Sequence, residues 1–245
     1  MLFKKKNKSM GCVVDVHSHI LPGIDDGSRN LDETLKMLEI AHNEGITHII
    51  ATPHFKDRHN NAKPDEVKEL INNIQGLSDK YGLDINIYQG NEILYYDDMC
   101  KFIEKGSIST INGSNYVLVE FITSYQYIRN ALEEIMSEGY QPIVAHVERY
   151  SCMVQNIENV FEIKNMGVEI QVNASSITGD NGKDVKRFVH KLLHEQIIDY
   201  VGTDCHRCEG RRIPKMKECI NIMYKKYNEQ YINDILYKNA INRLL

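Results

Sequence analysis

No apolar run in these 245 residues approaches the roughly 20 that cross a bilayer, which excludes stable membrane insertion by a helix. The opening Met1-Leu2-Phe3-Lys4-Lys5-Lys6 also lacks the apolar stretch that a secretion signal carries behind its charges. A basic surplus is missing as well. The formal net charge is −5, which argues against a nucleic-acid partner held by phosphate neutralisation, though not against a local basic pocket. Cysteines are few and scattered, at positions 12, 100, 152, 205, 208 and 219, in a chain too large to need disulfide staples. They read as reduced thiols of a cytoplasmic protein. Neither a linker, nor a low-complexity tract, nor a sequence repeat is found.

What is present is an ordinary globular composition, 42% hydrophobic and 26% charged, which leaves no room for a large disordered tract. Residues 1–11, with Lys4, Lys5, Lys6 and Lys8, read as a flexible basic segment, and 12–245 as a single domain. Runs rich in β-branched residues predict short buried strands at 12–16, 47–51, 85–89, 116–120, 142–145, 168–172 and 197–202. Amphipathic stretches separate them. Val67, Leu70, Ile71, Ile74, Leu77 and Tyr81 repeat at helical spacing after Pro64, and Leu31, Leu35, Leu38 and Ala41 share a face ahead of Gly45. Further helices are expected at 128–137, 160–165 and 185–194. Strand-helix alternation of this kind demands parallel strands with helical crossovers. Seven units without a dinucleotide-binding glycine fingerprint predict an α/β fold, a distorted seven-stranded TIM-like (β/α)7 barrel.

Barrels of this type keep their chemistry at the C-terminal ends of the strands. His17 and His19 follow the first predicted strand, His54 the second and Glu92 the third; Glu120 closes the fourth, His146 ends the fifth, and Asp204 and His206 follow the last. Eight metal-binding side chains would converge on one rim, more than one ion needs. A cluster of two or three divalent ions is therefore expected, able to acidify water and clamp phosphoryl oxygens. Mixed imidazole and carboxylate donors suit manganese, iron or zinc. Asp15 precedes the histidine pair by two residues and is expected to orient an imidazole from behind.

Arg149 stands three residues beyond His146, and Arg211 five beyond His206, positions that suit bidentate phosphate contact beside a metal rim. His42, His48, His59, His190 and His194 fall away from the strand ends and read as structural or solvent-facing. Asp25-Asp26-Gly27-Ser28 reads as a turn into the first helix, capped by Ser28 or Asn30, with a supporting role for either aspartate left open. Two patterns around Cys205 point elsewhere. Cys205-His206-Arg207-Cys208 has no second pair to complete a zinc knuckle. Cys205 to Arg211 matches the C-x5-R spacing of cysteine phosphatases, but Asp204 before the thiol and His206 and Glu209 inside the loop spoil an anion cradle.

These residues resemble the polymerase-and-histidinol-phosphatase (PHP) superfamily, and within it the manganese-dependent capsular-polysaccharide protein-tyrosine phosphatases of Gram-positive bacteria. The telling pieces are Asp15-Val16-His17-Ser18-His19-Ile20-Leu21-Pro22-Gly23-Ile24-Asp25-Asp26-Gly27-Ser28, Thr52-Pro53-His54, Asn91-Glu92, Val119-Glu120-Phe121, His146-Val147-Glu148-Arg149-Tyr150 and Thr203-Asp204-Cys205-His206. The resemblance implies that the same eight side chains hold manganese while Arg149 and Arg211 grip the phosphate. It implies a partner too, the phosphotyrosine tail of an autophosphorylating kinase that governs capsule or exopolysaccharide export, and a possible homo-oligomer built on the 31–38 helix. Val147 departs from the family's proline, and Thr203 and Cys205 from its commoner serine and alanine. A histidinol-phosphate-type small-molecule phosphatase and a catalytically silent phosphopeptide-binding protein are the alternatives.

Overall fold

The computed structural model describes residues 11–122 and 124–245. The basic segment expected at 1–11 therefore lies, Gly11 apart, outside the described residues. Among the described residues the chain forms nine strands: β1 Val14–Ser18, β2 His48–Ala51, β3 His54–Phe55, β4 Asn86–Gln89, β5 Glu92–Leu94, β6 Tyr116–Glu120, β7 Gln141–Val144, β8 Glu169–Asn173 and β9 Tyr200–Gly202. Every pairing between them is parallel. Helices cross between them, among them Leu31–Asn43, Pro64–Tyr81, Tyr125–Ser137, Glu158–Asn165 and Lys183–His194.

Strands form at all seven predicted runs, and two of them are interrupted, so the sheet is less regular than one continuous barrel. The strands make two curled sheets, β1-β2-β4 and β3-β5-β6-β7-β8-β9. β2 and β4 each break near their ends and resume as β3 and β5, which belong to the second sheet. Pro53 lies at the first break and has no N–H to continue a ladder, while its carbonyl accepts from the Glu92 backbone at 3.2 Å and from Asn91 Nδ2 at 2.9 Å. β1 meets the other edge through a parallel bridge between Ser18 and Cys205, with His19 N–H donating to the Cys205 carbonyl at 2.9 Å. That bridge brings the first strand end against the segment after the last one.

Alternate residues of the strands feed two apolar clusters, as a two-residue repeat requires. Ile49, Val117, Val119 and Ile170 pack outward under helix residues such as Met37, Leu38, Ile74 and Leu132. Val14, Val16, Ile50, Leu118, Ile143 and Tyr200 pack inward, joined by Ala240 and Leu244 from the C-terminal end of the chain. The C-terminal segment thus covers the end of the sheets where the strands begin. There Arg243 Nη1 donates to Glu169 Oε1 at 2.6 Å and Asn239 Nδ2 to the Asp199 carbonyl at 3.0 Å. The opposite end, where the strands finish, stays open for side chains.

Asn30 caps the first helix, its side chain accepting from Glu33 N–H at 3.0 Å. Its inner face differs from the expected one: Thr34, Met37, Leu38 and Ala41 are buried, whereas Leu31 is 44% exposed. No helix among the described residues is long and apolar enough to cross a membrane.

Candidate metal centre

The irregular register between Asp15 and Ser18 at the end of β1 re-aims the chain, so that His17 and His19 turn their rings toward each other. Their Nε2 atoms lie 3.2 Å apart, and each lies 3.2 Å from Glu92 Oε2 at the start of β5. His54, at the start of β3, sets Nδ1 3.1 Å from the same oxygen and 3.4 Å from Glu120 Oε1 at the end of β6. His146 follows β7 and places Nε2 2.6 Å from Glu92 Oε1. Past β9, Asp204 Oδ1 stands 3.8 and 3.7 Å from the His17 and His19 Nε2 atoms and 3.5 Å from His206 Nδ1. All eight side chains singled out in the sequence thus gather in one cluster, with Glu92 buried between the histidines and Asp204 and His206 joining it through His17 and His19.

Nitrogen and oxygen donors about 2.1 Å from a transition-metal ion stand roughly 3 Å apart when they subtend a right angle, and most of these separations fall near that value. Three overlapping sets bring one donor atom from each member within 4.8 Å of the others: His17, His19 and Glu92; His54, Glu92 and Glu120; and His19, Asp26, His54 and His206. His54 Nδ1 and His206 Nε2 are buried without a hydrogen-bond partner. Orphaned imidazole nitrogens aimed at carboxylates are what a metal shell requires and what a purely structural network avoids. The donor set fits divalent ions.

Neighbouring groups fix which nitrogen faces the cluster. His19 Nδ1 is 2.7 Å from Asp25 Oδ2, and Asp25 also accepts from the backbone N–H groups of Gly27 and His54, so Nε2 of His19 is left to the centre. Gln171 Oε1 plays that part for His17, lying 3.3 Å from Nδ1 and accepting from His146 N–H at 2.7 Å. Burial lowers His19, but Asp25 and Glu92 overcome it and raise the imidazole to about 10. For His206 burial prevails, helped by His19 and Arg212, and lowers it to about 3. Burial pushes Glu92 up, yet the surrounding histidines, His17 foremost, hold it well below the usual carboxylate range.

Asp15 departs from its expected part. It touches no imidazole ring; its carboxylate accepts from Thr203 N–H at 2.8 Å, Thr203 Oγ1 at 2.5 Å and His17 N–H at 3.3 Å, tying the backbones of β1 and the Asp204 loop together. Burial chiefly raises this carboxyl to about 6. Two glycines make room for the arrangement. A Cβ on Gly202 would lie 2.6 Å from His17 Cβ, and one on Gly27 would lie 2.2 Å from the His19 carbonyl oxygen. His146 and Asp204 adopt positive φ, 34° and 52°, a conformation side-chain-bearing residues hold only where their surroundings enforce it.

Arg149 is half exposed, with Nη1 3.2 Å from Asp204 Oδ2. Arg211 is brought to the same cleft, of about 430 Å³, together with Arg212. Arg212 went unnoticed in the sequence, yet its Nη2 donates to Asp204 Oδ1 at 2.6 Å, while Asn173 Nδ2 donates to Oδ2 at 3.0 Å. Asp26, read as a turn residue, places Oδ1 3.3 Å from His206 Nε2 and 3.4 Å from His54 Nε2. Arg207 Nη1 holds that turn through the Asp26 and Gly27 carbonyls. The only signal for Asp26 was the acidic pair Asp25-Asp26, six and seven residues past His19. Cys205 is buried and burial pushes its thiol up, so it offers no thiolate nucleophile.

The sequence profile described as "Capsular polysaccharide synthesis, CpsB/CapC" matches residues 13–245. The CapC protein of Staphylococcus aureus is 33% identical over 201 residues, covering 81% of this chain and 79% of that one. The tyrosine-protein phosphatase CpsB of Streptococcus agalactiae is 29% identical over 235 residues, covering 93% and 96%. A solved structure from the pair YwqE of Bacillus subtilis and CpsB of Streptococcus pneumoniae, described as metal-dependent tyrosine phosphatases, superposes with a TM-score of 0.87 at 27% identity over 94% of both chains. A histidinol phosphate phosphatase of Lactococcus lactis shares the fold at 15% identity and a TM-score of 0.60 over 89% of this chain and 95% of that one.

Proposed function

The chain belongs to the CpsB/CapC capsular polysaccharide synthesis family, and we propose that it acts there as a metal-dependent tyrosine-protein phosphatase, hydrolysing phosphotyrosine on a tyrosine kinase that governs capsule or exopolysaccharide synthesis. The observation that carries this reading is the meeting of His17, His19, His54, His146 and Glu120 around Glu92, with the half-exposed Arg149 beside the cluster on Asp204. Domain 12–245 works as one unit, since the site draws on segments from His17 to Arg212. The reaction belongs to the cytoplasm, where kinase tails are reached.

His17, His19, His54, Glu92, Glu120, His146, Asp204 and His206, with Asp26, are the residues that would hold two or three ions, manganese first, iron or zinc next. Such ions supply Lewis acidity, acidifying water and drawing charge from phosphoryl oxygens. The chain's own part is to aim and to grip. Asp25 and Gln171 hold the His19 and His17 rings so that Nε2 faces inward. Arg149 and Arg211 share a cleft bordered by Asp204, placed to take phosphate oxygens and to stabilise charge that grows on them as the ester bond breaks.

The test is phosphate release from a phosphotyrosine peptide by metal-stripped protein, with manganese, iron, zinc or magnesium restored, comparing wild type, His146→Ala and Arg149→Ala. Release that needs metal and disappears in both variants supports the assignment. Metal-independent release would overturn it.

A further inference from the structure

Isolated exposed apolar side chains are common and mean little. Ile122 is a different case. It is 85% exposed and stands two residues past Glu120. It also lines a cleft of about 320 Å³ whose other walls include Glu120, His146, Arg149, Phe121 and Tyr150. One side of that cleft is the candidate metal centre and Arg149; the other is formed by Phe121, Ile122 and Tyr150, with Ser151 beside them.

The apolar side is built to stay in place. Phe121 and Tyr150 are 4% and 7% exposed, their rings meet edge to face at 6.2 Å, and Phe121 N–H donates to the Tyr150 hydroxyl at 3.2 Å. The Tyr150 ring in turn lies 6.0 Å from that of His146. Ile122 is β-branched and stiff at χ1, so it loses little freedom on contact with a ligand. The neighbouring 430 Å³ cleft shares Arg149 but adds Arg211, Arg212, Asn173, Ser175 and Asn181 and has no aromatic ring in its wall. It suits anionic oxygens, whereas the Ile122 cleft suits a flat apolar group attached to one.

We propose that the Ile122 cleft receives the phenol ring of the substrate ester, and that Ile122 sets the preference for aryl over alkyl phosphates. The inference rests on the reading of the centre as a tyrosine phosphatase. A phosphotyrosine phosphate is held one ring away from its backbone, so the ring must cross from the cluster to the surface. Ile122 covers that crossing with Phe121 and Tyr150 behind it. Phosphoserine has no group to fill the space and gains nothing from it.

The experiment is steady-state hydrolysis of a phosphotyrosine peptide and of phenyl phosphate by manganese-loaded wild type, Ile122→Ala and Ile122→Leu, with inhibition by inorganic phosphate measured on each. Truncation to alanine is expected to raise KM for both aryl esters roughly fivefold, leaving kcat and phosphate inhibition unchanged, and leucine restores KM. Unchanged KM in Ile122→Ala overturns the inference, as does phosphate inhibition that weakens in parallel, because Ile122 would then merely support the cluster. Absence of hydrolysis by the wild type overturns the underlying phosphatase reading instead.

Discussion

Asp25 Oδ2 and His19 Nδ1 lie 2.7 Å apart, and this pair leaves Nε2 of His19 to the candidate metal centre. The carboxylate is held below its usual range: burial pushes it up, but the hydrogen bond and charge of His19 outweigh that effect.

Asp25→Ala should therefore weaken manganese binding by about 10- to 100-fold, the usual consequence of removing the partner behind a ligating histidine. Equilibrium dialysis with metal analysis reads this directly. Wild-type affinity in the variant would show that the His19 ring is held by something else.

Gly202→Ala places a methyl 2.6 Å from His17 Cβ and 3.1 Å from Gln171 Nε2. Overpacking of this kind costs about 1–3 kcal/mol. Urea unfolding of metal-stripped protein should show a loss in that range, and the refolded variant should retain less metal. An unaltered midpoint would mean that β1 and β9 slide apart freely.

Arg149→Ala should lower kcat on a phosphotyrosine peptide by about 10²- to 10³-fold if its guanidinium stabilises the transition-state charge. Arg149→Lys should recover little of this, because an ammonium cannot make the same forked contact. Metal content should stay near wild type in both. A lysine variant of nearly full activity would leave Arg149 with general electrostatics only.

Cys205→Ala should keep most activity, and alkylating reagents should spare the native enzyme, since this thiol is buried and pushed up. Chelation should abolish turnover in both proteins. Loss of activity in Cys205→Ala with metal content intact would revive the cysteine mechanism that the C-x5-R spacing suggests.

Much of the candidate site could be read before the fold was known because each of its imidazoles and carboxylates sits at or just past the end of a β-branched run, as at Tyr116 to Glu120, and strand ends in parallel α/β proteins share one face. Arg212 and Asp26 escaped that rule. Each lies in a loop, and nothing local separates an arginine or a turn aspartate at a metal site from one in water. Gln171 escaped for the opposite reason: it lies within β8, among Ile170 and Val172, and only the ring of strands puts it behind His17.

The sequence by itself determined the strand-helix alternation and the supply of imidazoles and carboxylates at the strand ends, because hydrophobic period and residue chemistry are local properties. Tertiary structure decided how the strands close: β2 and β4 break, one of them beside Pro53, and restart in a second sheet, and the Ser18–Cys205 bridge brings the segments after the first and last strands to one rim. It also decided the partners of each ligand, Asp25 for His19, Gln171 for His17, Arg149 and Arg212 for Asp204. Those pairings depend on distances between residues up to 154 positions apart, which packing sets and spacing along the chain does not.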